Sequence, residues 1–313
     1  MGVGQQPLIL CLIPLELEVL SLQRIYPIVG TLLAMTAGQE VRAHSSARAR
    51  TTIVGRGHRL RYLVQGLVFP LLLALFLASC QKQDPFLDRV ISADVLRVGL
   101  DPSWPPFEYV EGDEIVGLDV DLAHAIGEEL GVEVVLVPSG WEGLYGALFA
   151  GQFDVVISAL PYDPWRTKEA AYSISYFNAG SVIVVSEAQT SITSAKDLKE
   201  QTVHVELGSE GDVQARRLQK QTPEIVIESH NTAQDALHAV LDDSASVAIV
   251  DHVTARLFIR EMPGLRIVGK PLYDESYVIA VHPQARSLQQ AIDRILIEMR
   301  QSGQLDQLLD RWL

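Results

Sequence analysis

Arg166 is the residue of this chain best suited to holding an anion. It follows a break made by Pro161, Asp163 and Pro164, and that break follows a short apolar run, Val155–Ile157. The run reads as a strand buried on both faces. Ser158 and Ala159 stand at its carboxyl end, where open α/β sheets place their ligands. A guanidinium offers a planar fork of donors that fits a carboxylate bidentately. On this stretch alone, a surface arginine in an ordinary loop explains the sequence at least as well. Asp251 ends a second apolar run, Val247–Val250; it either caps a helix opening at His252 or faces a ligand, and capping is the simpler reading. Gly208-Ser209-Glu210-Gly211 is a turn into a helix whose backbone amides could hold an anion, although such turns are common connectors.

Two tryptophans could supply stacking faces. Trp104 lies on a loop stiffened by Pro102, Pro105 and Pro106, just after a strand of alternating pattern, Leu96–Leu100. Phe107 on the same loop reads as cover for a core edge. Trp141 falls in the first turn of a helix expected to open with a Ser139/Glu142 capping box, and core packing and stacking fit it equally.

The elements that must position these residues follow the hydrophobic periodicity. Leu118–Leu130 carries an apolar stripe and ends at Gly131, and Val132–Val137 is the next strand. Val182–Val185, Val203–Val205, Ile225–Ile227, Leu265–Val268 and Tyr277–Val281 read as further strands. Asn231-Thr232 caps a helix bearing Ala236, Leu237, Val240 and Leu241, and Leu288–Met299 is a long amphipathic helix before a last short one. Two βαβαβ units and closing helices predict an α/β protein of two lobes joined by two crossovers.

The 313 residues suffice for two cores, and an apolar share of 48% suits a globular chain. A net charge of −14 argues against nucleic acid. The first 79 residues differ from the rest. Arg56, Arg59 and Arg61 precede the apolar run Leu67–Ala78, and Leu77-Ala78-Ser79-Cys80 follows. That is the layout of a secretory signal, and the run is shorter than the ~20 residues of a membrane span. With Cys80 after small residues it resembles a bacterial lipobox, which implies cleavage before Cys80 and lipid on its sulfur. Leu8–Met35 contains Glu16, Glu18 and Arg24 and would make a poor span, so the working start is expected nearer Val54. Cys11 is the only other cysteine, so a processed chain has no disulfide. Residues 80–313 hold 18 basic and 36 acidic side chains, read as a solvated acidic surface. Gln81–Asp94 reads as a polar tether.

Five stretches in order, from LRVGLDPSWPPFEYVEGDEIVGLDVDLAHAIGEELGV through FDVVISALPYDPWRTKEAAYSISYF, VELGSEGD and AIVDHVTA to QSGQLDQLLDRWL, resemble the bacterial extracellular solute-binding proteins of polar amino acid ABC importers. The resemblance runs from about Leu96 to Leu313. It implies a two-lobe type II (Venus-flytrap) fold: lobe 1 from 95–184 and 275–313, lobe 2 from 185–274, after a signal segment 1–79 and a tether 80–94. It implies an extracytoplasmic monomer, lipid-anchored to the outer face of the cytoplasmic membrane, that hands a small polar ligand to a permease without cofactor, metal or catalysis. Residue by residue, it implies that Arg166 clamps an α-carboxylate and Asp251 takes the α-ammonium. Ser158 offers contacts at the strand end beside Ala159, with Ser209 in the facing turn. Trp104 and Trp141 sandwich the ligand side chain, and Asp101 meets a distal charge.

Two positions depart from the family pattern. Pro161 stands where a Ser or Thr is usual, and Glu210 where a Thr is usual, so a carboxylate is set where another carboxylate should bind. The alternative in another class is an enzyme on the same fold, a dehydratase of cyclohexadienyl or arogenate type, which would need a general acid in the cleft.

Overall fold

The computed structural model describes residues 84–313; the expectations for Cys80, the signal segment and residues 1–79 lie outside the described residues. The chain begins with a short helix, α1 (Phe86–Ala93), where a tether was expected. Phe86 and Val90, one turn apart, put apolar groups on one stripe; Val90 is buried and Phe86 and Leu87 pack on the same core. The polar flanks hid that stripe.

The first sheet has the order β5-β1-β6-β15-β7. Its members are β1 (Val95–Leu100), β5 (Glu133–Pro138), β6 (Val155–Val156), β7 (Ala171–Tyr172) and β15 (Ala280–Val281). β1 runs parallel to β5 and β6, whereas β15 is antiparallel to β6 and β7. Helix α2 (Leu118–Leu130) buries Leu118, Leu122 and Ile126 and ends at Gly131 in the left-handed region, a conformation that suits glycine. A hairpin-like ribbon precedes it: β2 (Ser103–Trp104), β3 (Glu108–Glu111) and β4 (Glu114–Val116).

The expected capping box at Ser139/Glu142 does not form. Gly140 occupies the cap position with no side-chain bond, and a 3₁₀ turn, Trp141–Gly143, leads into helix α3 (Leu144–Phe149). Leu144 and Leu148 are buried as the pattern required.

The second sheet has the order β11-β10-β12-β9-β13. It contains β9 (Ser181–Ser186), β10 (Thr202–Glu206), β11 (Val226–His230), β12 (Val247–Asp251) and β13 (Leu265–Val268). Helices α4 (Glu210–Gln221), α5 (Ala233–Asp242) and α6 (His252–Glu261) belong to this half. β9 pairs antiparallel with both β12 and β13, so it is wholly a strand of the second sheet. A lobe boundary at 184/185 therefore cuts through a strand, and the crossover lies just before it, near Ala179 and Gly180. The return crossover is matched to it: β8 (Phe177–Asn178) pairs antiparallel with β14 (Ser276–Tyr277), forming a two-stranded ribbon between the sheets. The run expected as one strand over Tyr277–Val281 is thus divided between this ribbon and β15.

Helices α7 (Arg286–Ser302) and α8 (Gln304–Trp312) close the first half, with Leu288, Ile292, Leu296 and Leu305 in its core. Separate apolar clusters lie on each face of the second sheet. Among the described residues no helix is long and apolar enough to cross a membrane.

Candidate functional site

A cavity of about 380 Å³ opens at the carboxyl end of β1 and β6. Asp101, Ser103, Trp104, Glu108, Trp141, Ala159, Pro161, Glu275 and Tyr277 line it. Three of these are acids and none is basic. Trp104 and Trp141 are 57% and 44% exposed, so their ring faces are available to a ligand, while Phe107 is fully buried. The Trp141 amide donates to Asp101 Oδ2 at 3.0 Å, which fixes the 3₁₀ turn against the end of β1.

Behind the cavity wall lies a polar cluster that sequence reasoning missed. Ser158 Oγ donates to Glu108 Oε1 at 2.7 Å and accepts from the Asp101 amide at 3.0 Å. Ser158 is fully buried, so its hydroxyl is committed to holding the wall together. Asp119, also fully buried, accepts from the Ala159 amide and, at 3.0 Å, from the Tyr176 hydroxyl. Burial, then the Asp119 charge, pushes the Glu108 carboxyl far up, to about 10. Glu108 Oε2 and Asp119 Oδ1 have no protein partner as plain acceptors, and a proton on Glu108 supplies the missing donor. Ala159 holds φ at +40°, a conformation that costs a non-glycine residue of order 1 kcal/mol, beside this cluster. The one sequence cue was Glu108 sitting directly after a core phenylalanine on a stiff loop.

Arg166 does not line this cavity. It lies in the Pro164–Arg166 turn and lines a neighbouring pocket of about 400 Å³ that shares Trp141 and Pro161 with the first. Its guanidinium pairs with Glu169 at 2.9 Å and Asp163 at 3.5 Å, and lies 4.6 Å above the Tyr145 ring. Pro161 thus forms the partition between the two pockets.

The second half contributes Ser209, Glu210 and Asp251, none of which lines the cavity. Ser209 caps α4 by accepting from the Asp212 amide at 3.2 Å. The turn before α4 already holds an anion of its own: Asp212 accepts from the Gly208 amide and pairs with Arg216 at 2.8 Å. Glu210 accepts from Gln214 one turn on. Asp251 caps α6, accepting from the Thr254 amide at 2.8 Å. Glu275 connects the halves electrostatically. Its carboxyl is raised by burial and then by the charges of Asp251 and Glu210.

Residues 96–313 match the family model of bacterial extracellular solute-binding proteins, family 3, and the chain belongs to that family. It is 31% identical to the arginine-binding extracellular protein ArtP of Bacillus subtilis (strain 168) over 222 residues, covering 69% of this chain and 85% of that protein. It is 30% identical to the cyclohexadienyl dehydratase of Pseudomonas aeruginosa over 258 residues, covering 81% of this chain and 94% of the other. Among solved structures it is similar to an ancestral cyclohexadienyl dehydratase, at a TM-score of 0.64 and 27% identity, over 72% of this chain and 95% of that one. The fold is the two-lobe α/β architecture of type II periplasmic binding proteins, and the function this defines is extracytoplasmic solute binding.

Proposed function

We propose that this protein captures a cationic amino acid between its two lobes and delivers it to an ABC permease, working as a monomeric lipoprotein tethered through Cys80. The observation that carries the reading is the cavity lining: Asp101 and Glu275 beside Trp104 and Trp141, with no cation. A guanidinium or ammonium gains there from carboxylates and from the tryptophan faces together. The likeness to an arginine-binding relative supports the same class. A ligand that reaches past Pro161 sets its α-carboxylate on Arg166 of the same lobe, and lobe closure brings Asp251 to the α-ammonium. A thermal-shift panel of the amino acids tests this, because a ligand that binds only the folded state raises its stability with ln([L]/Kd). Arginine and lysine should raise the midpoint, and a panel without any response contradicts the proposal.

The anchor has its own test. Cys80→Ala should release the protein from membranes or leave it unprocessed; normal processing with unchanged membrane association contradicts lipidation.

A second reading, a cyclohexadienyl-type dehydratase, draws on one observation: Glu108 keeps a proton at neutral pH at the cavity wall, as a general acid must. The same cavity disfavours it, since the carboxylates of such a substrate would meet Asp101 and Glu275 with no lining cation. Incubation with a cyclohexadienyl substrate separates the two readings: turnover abolished by Glu108→Gln supports the enzyme, and no turnover supports the binder.

A further inference from the structure

The edge of the second sheet carries a cluster that the amino acid reading does not use. β10 and β11 run parallel with His204 opposite Glu228 and Glu206 opposite His230. Side chains alternate along each strand, so His204, Glu228 and His230 share one face. The opposite face bears Val203, Val205 and Ile227, which pack into an apolar core. His204 is buried, His230 half-buried and Glu228 exposed at its outer side.

The three side chains converge. His204 Nδ1 lies 2.9 Å from His230 Nε2 and 3.7 Å from Glu228 Oε2. Among the described residues, this is the one group in which three metal-type side chains bring a ligand atom each within 4.8 Å of one another. Zn²⁺ bonds of about 2.0–2.1 Å at tetrahedral angles place ligand atoms roughly 3.3 Å apart, and the two separations found bracket that value. Glu228 and His230 bring ligand atoms within 4.8 Å of each other, so a swing of the exposed Glu228 carboxylate would complete the geometry, while β-strand backbones hold the ligands in fixed register.

We propose that His204, Glu228 and His230 form a binding site for a divalent transition ion, with Zn²⁺ the best fit. Two imidazole nitrogens and one carboxylate are a ligand set that Zn²⁺ favours and that Ca²⁺ and Mg²⁺, which prefer all-oxygen shells, do not. The exposed side of Glu228 leaves room for water as the fourth ligand. The site lies away from the tryptophan-lined cavity, so ion and amino acid bind separately.

The test is calorimetric titration of chelator-treated protein, carrying no histidine tag, with Zn²⁺, and absorption spectroscopy with Co²⁺. The expected result is one ion per chain in the micromolar range or tighter, with visible Co²⁺ bands of tetrahedral intensity. His230→Ala and Glu228→Gln should each weaken uptake at least about tenfold, the smallest loss seen even for outer-shell partners. Glu228 is exposed, so its variant keeps the fold and carries the test should His230→Ala misfold. The absence of saturable uptake, or uptake indifferent to both substitutions, overturns the site.

Discussion

The Ser158 hydroxyl donates to Glu108 Oε1 at 2.7 Å, joining the carboxyl end of β6 to the loop that carries Trp104. Burial, and then the Asp119 charge, keep Glu108 protonated against the opposing pull of this bond, in a wall that lines the cavity. A pH dependence follows. In the unfolded chain Glu108 ionises near its ordinary value of 4.5, but in the folded chain it does so only near 10. Below the unfolded value both states hold the proton and the contribution to stability is whole. As pH rises the unfolded state releases its proton first, and stability falls by up to about 1.4 kcal/mol per pH unit until the folded value is passed. Urea unfolding across the neutral to alkaline range should show this decline, and Glu108→Gln should flatten it. Parallel curves for both proteins would contradict the assignment.

Arg166 is held by acids of its own turn, Glu169 and Asp163, and is exposed. Exposed pairs of this kind are worth little and exchange readily for a ligand carboxylate. Arg166→Ala should weaken amino acid binding about tenfold or more, because the ligand carboxylate shielded in the closed cleft loses its partner, while the fold persists. Calorimetry within about twofold of wild type would remove Arg166 from the site.

Glu210, where the family pattern fails, belongs to the acid group around Glu275. Glu210→Thr should lower affinity for cationic amino acids and raise it for neutral or acidic ones. An identical ligand profile before and after means that Glu210 acts only within α4, through Gln214.

Gly180 sits at the crossover between β8 and β9. A Cβ there would lie 1.7 Å from the Tyr273 carbonyl oxygen, a backbone atom that cannot step aside cheaply. Gly180→Ala should destabilise the protein by about 1–3 kcal/mol through overpacking of the ribbon that links the lobes. Thermal unfolding checks this, and an unchanged midpoint would contradict it.

The strands and amphipathic helices were legible because their periods are strong: β1, α2, α5 and α7 fall where the pattern put them. The crossover was misplaced because β9 is apolar between its terminal serines, and an apolar run does not say which sheet it joins. Helix α1 was lost among polar neighbours. At the site, Asp101, Trp104, Trp141 and Ala159 line one cavity. Glu108, Asp119 and Glu275 were not anticipated, since sequence records that a residue is acidic but not that folding buries it. Ser158 was expected to offer hydroxyl or carbonyl contacts, and burial commits its hydroxyl to Glu108 and the Asp101 amide. Arg166 lies outside the cavity lining because its own turn pairs it with Asp163 and Glu169, and Ser209, Glu210 and Asp251 because each bonds within its own helix; sequence does not record these local partners.

An acidic cavity walled by Trp104 and Trp141 should select positive charge. Calorimetric titration with L-arginine and with L-citrulline, its uncharged near-isostere, tests it most directly. Arginine should bind at least about tenfold tighter, the difference a charge-assisted contact produces, and Asp101→Asn should narrow the gap. Citrulline binding as tightly as arginine, or glutamate binding more tightly than either, would contradict it.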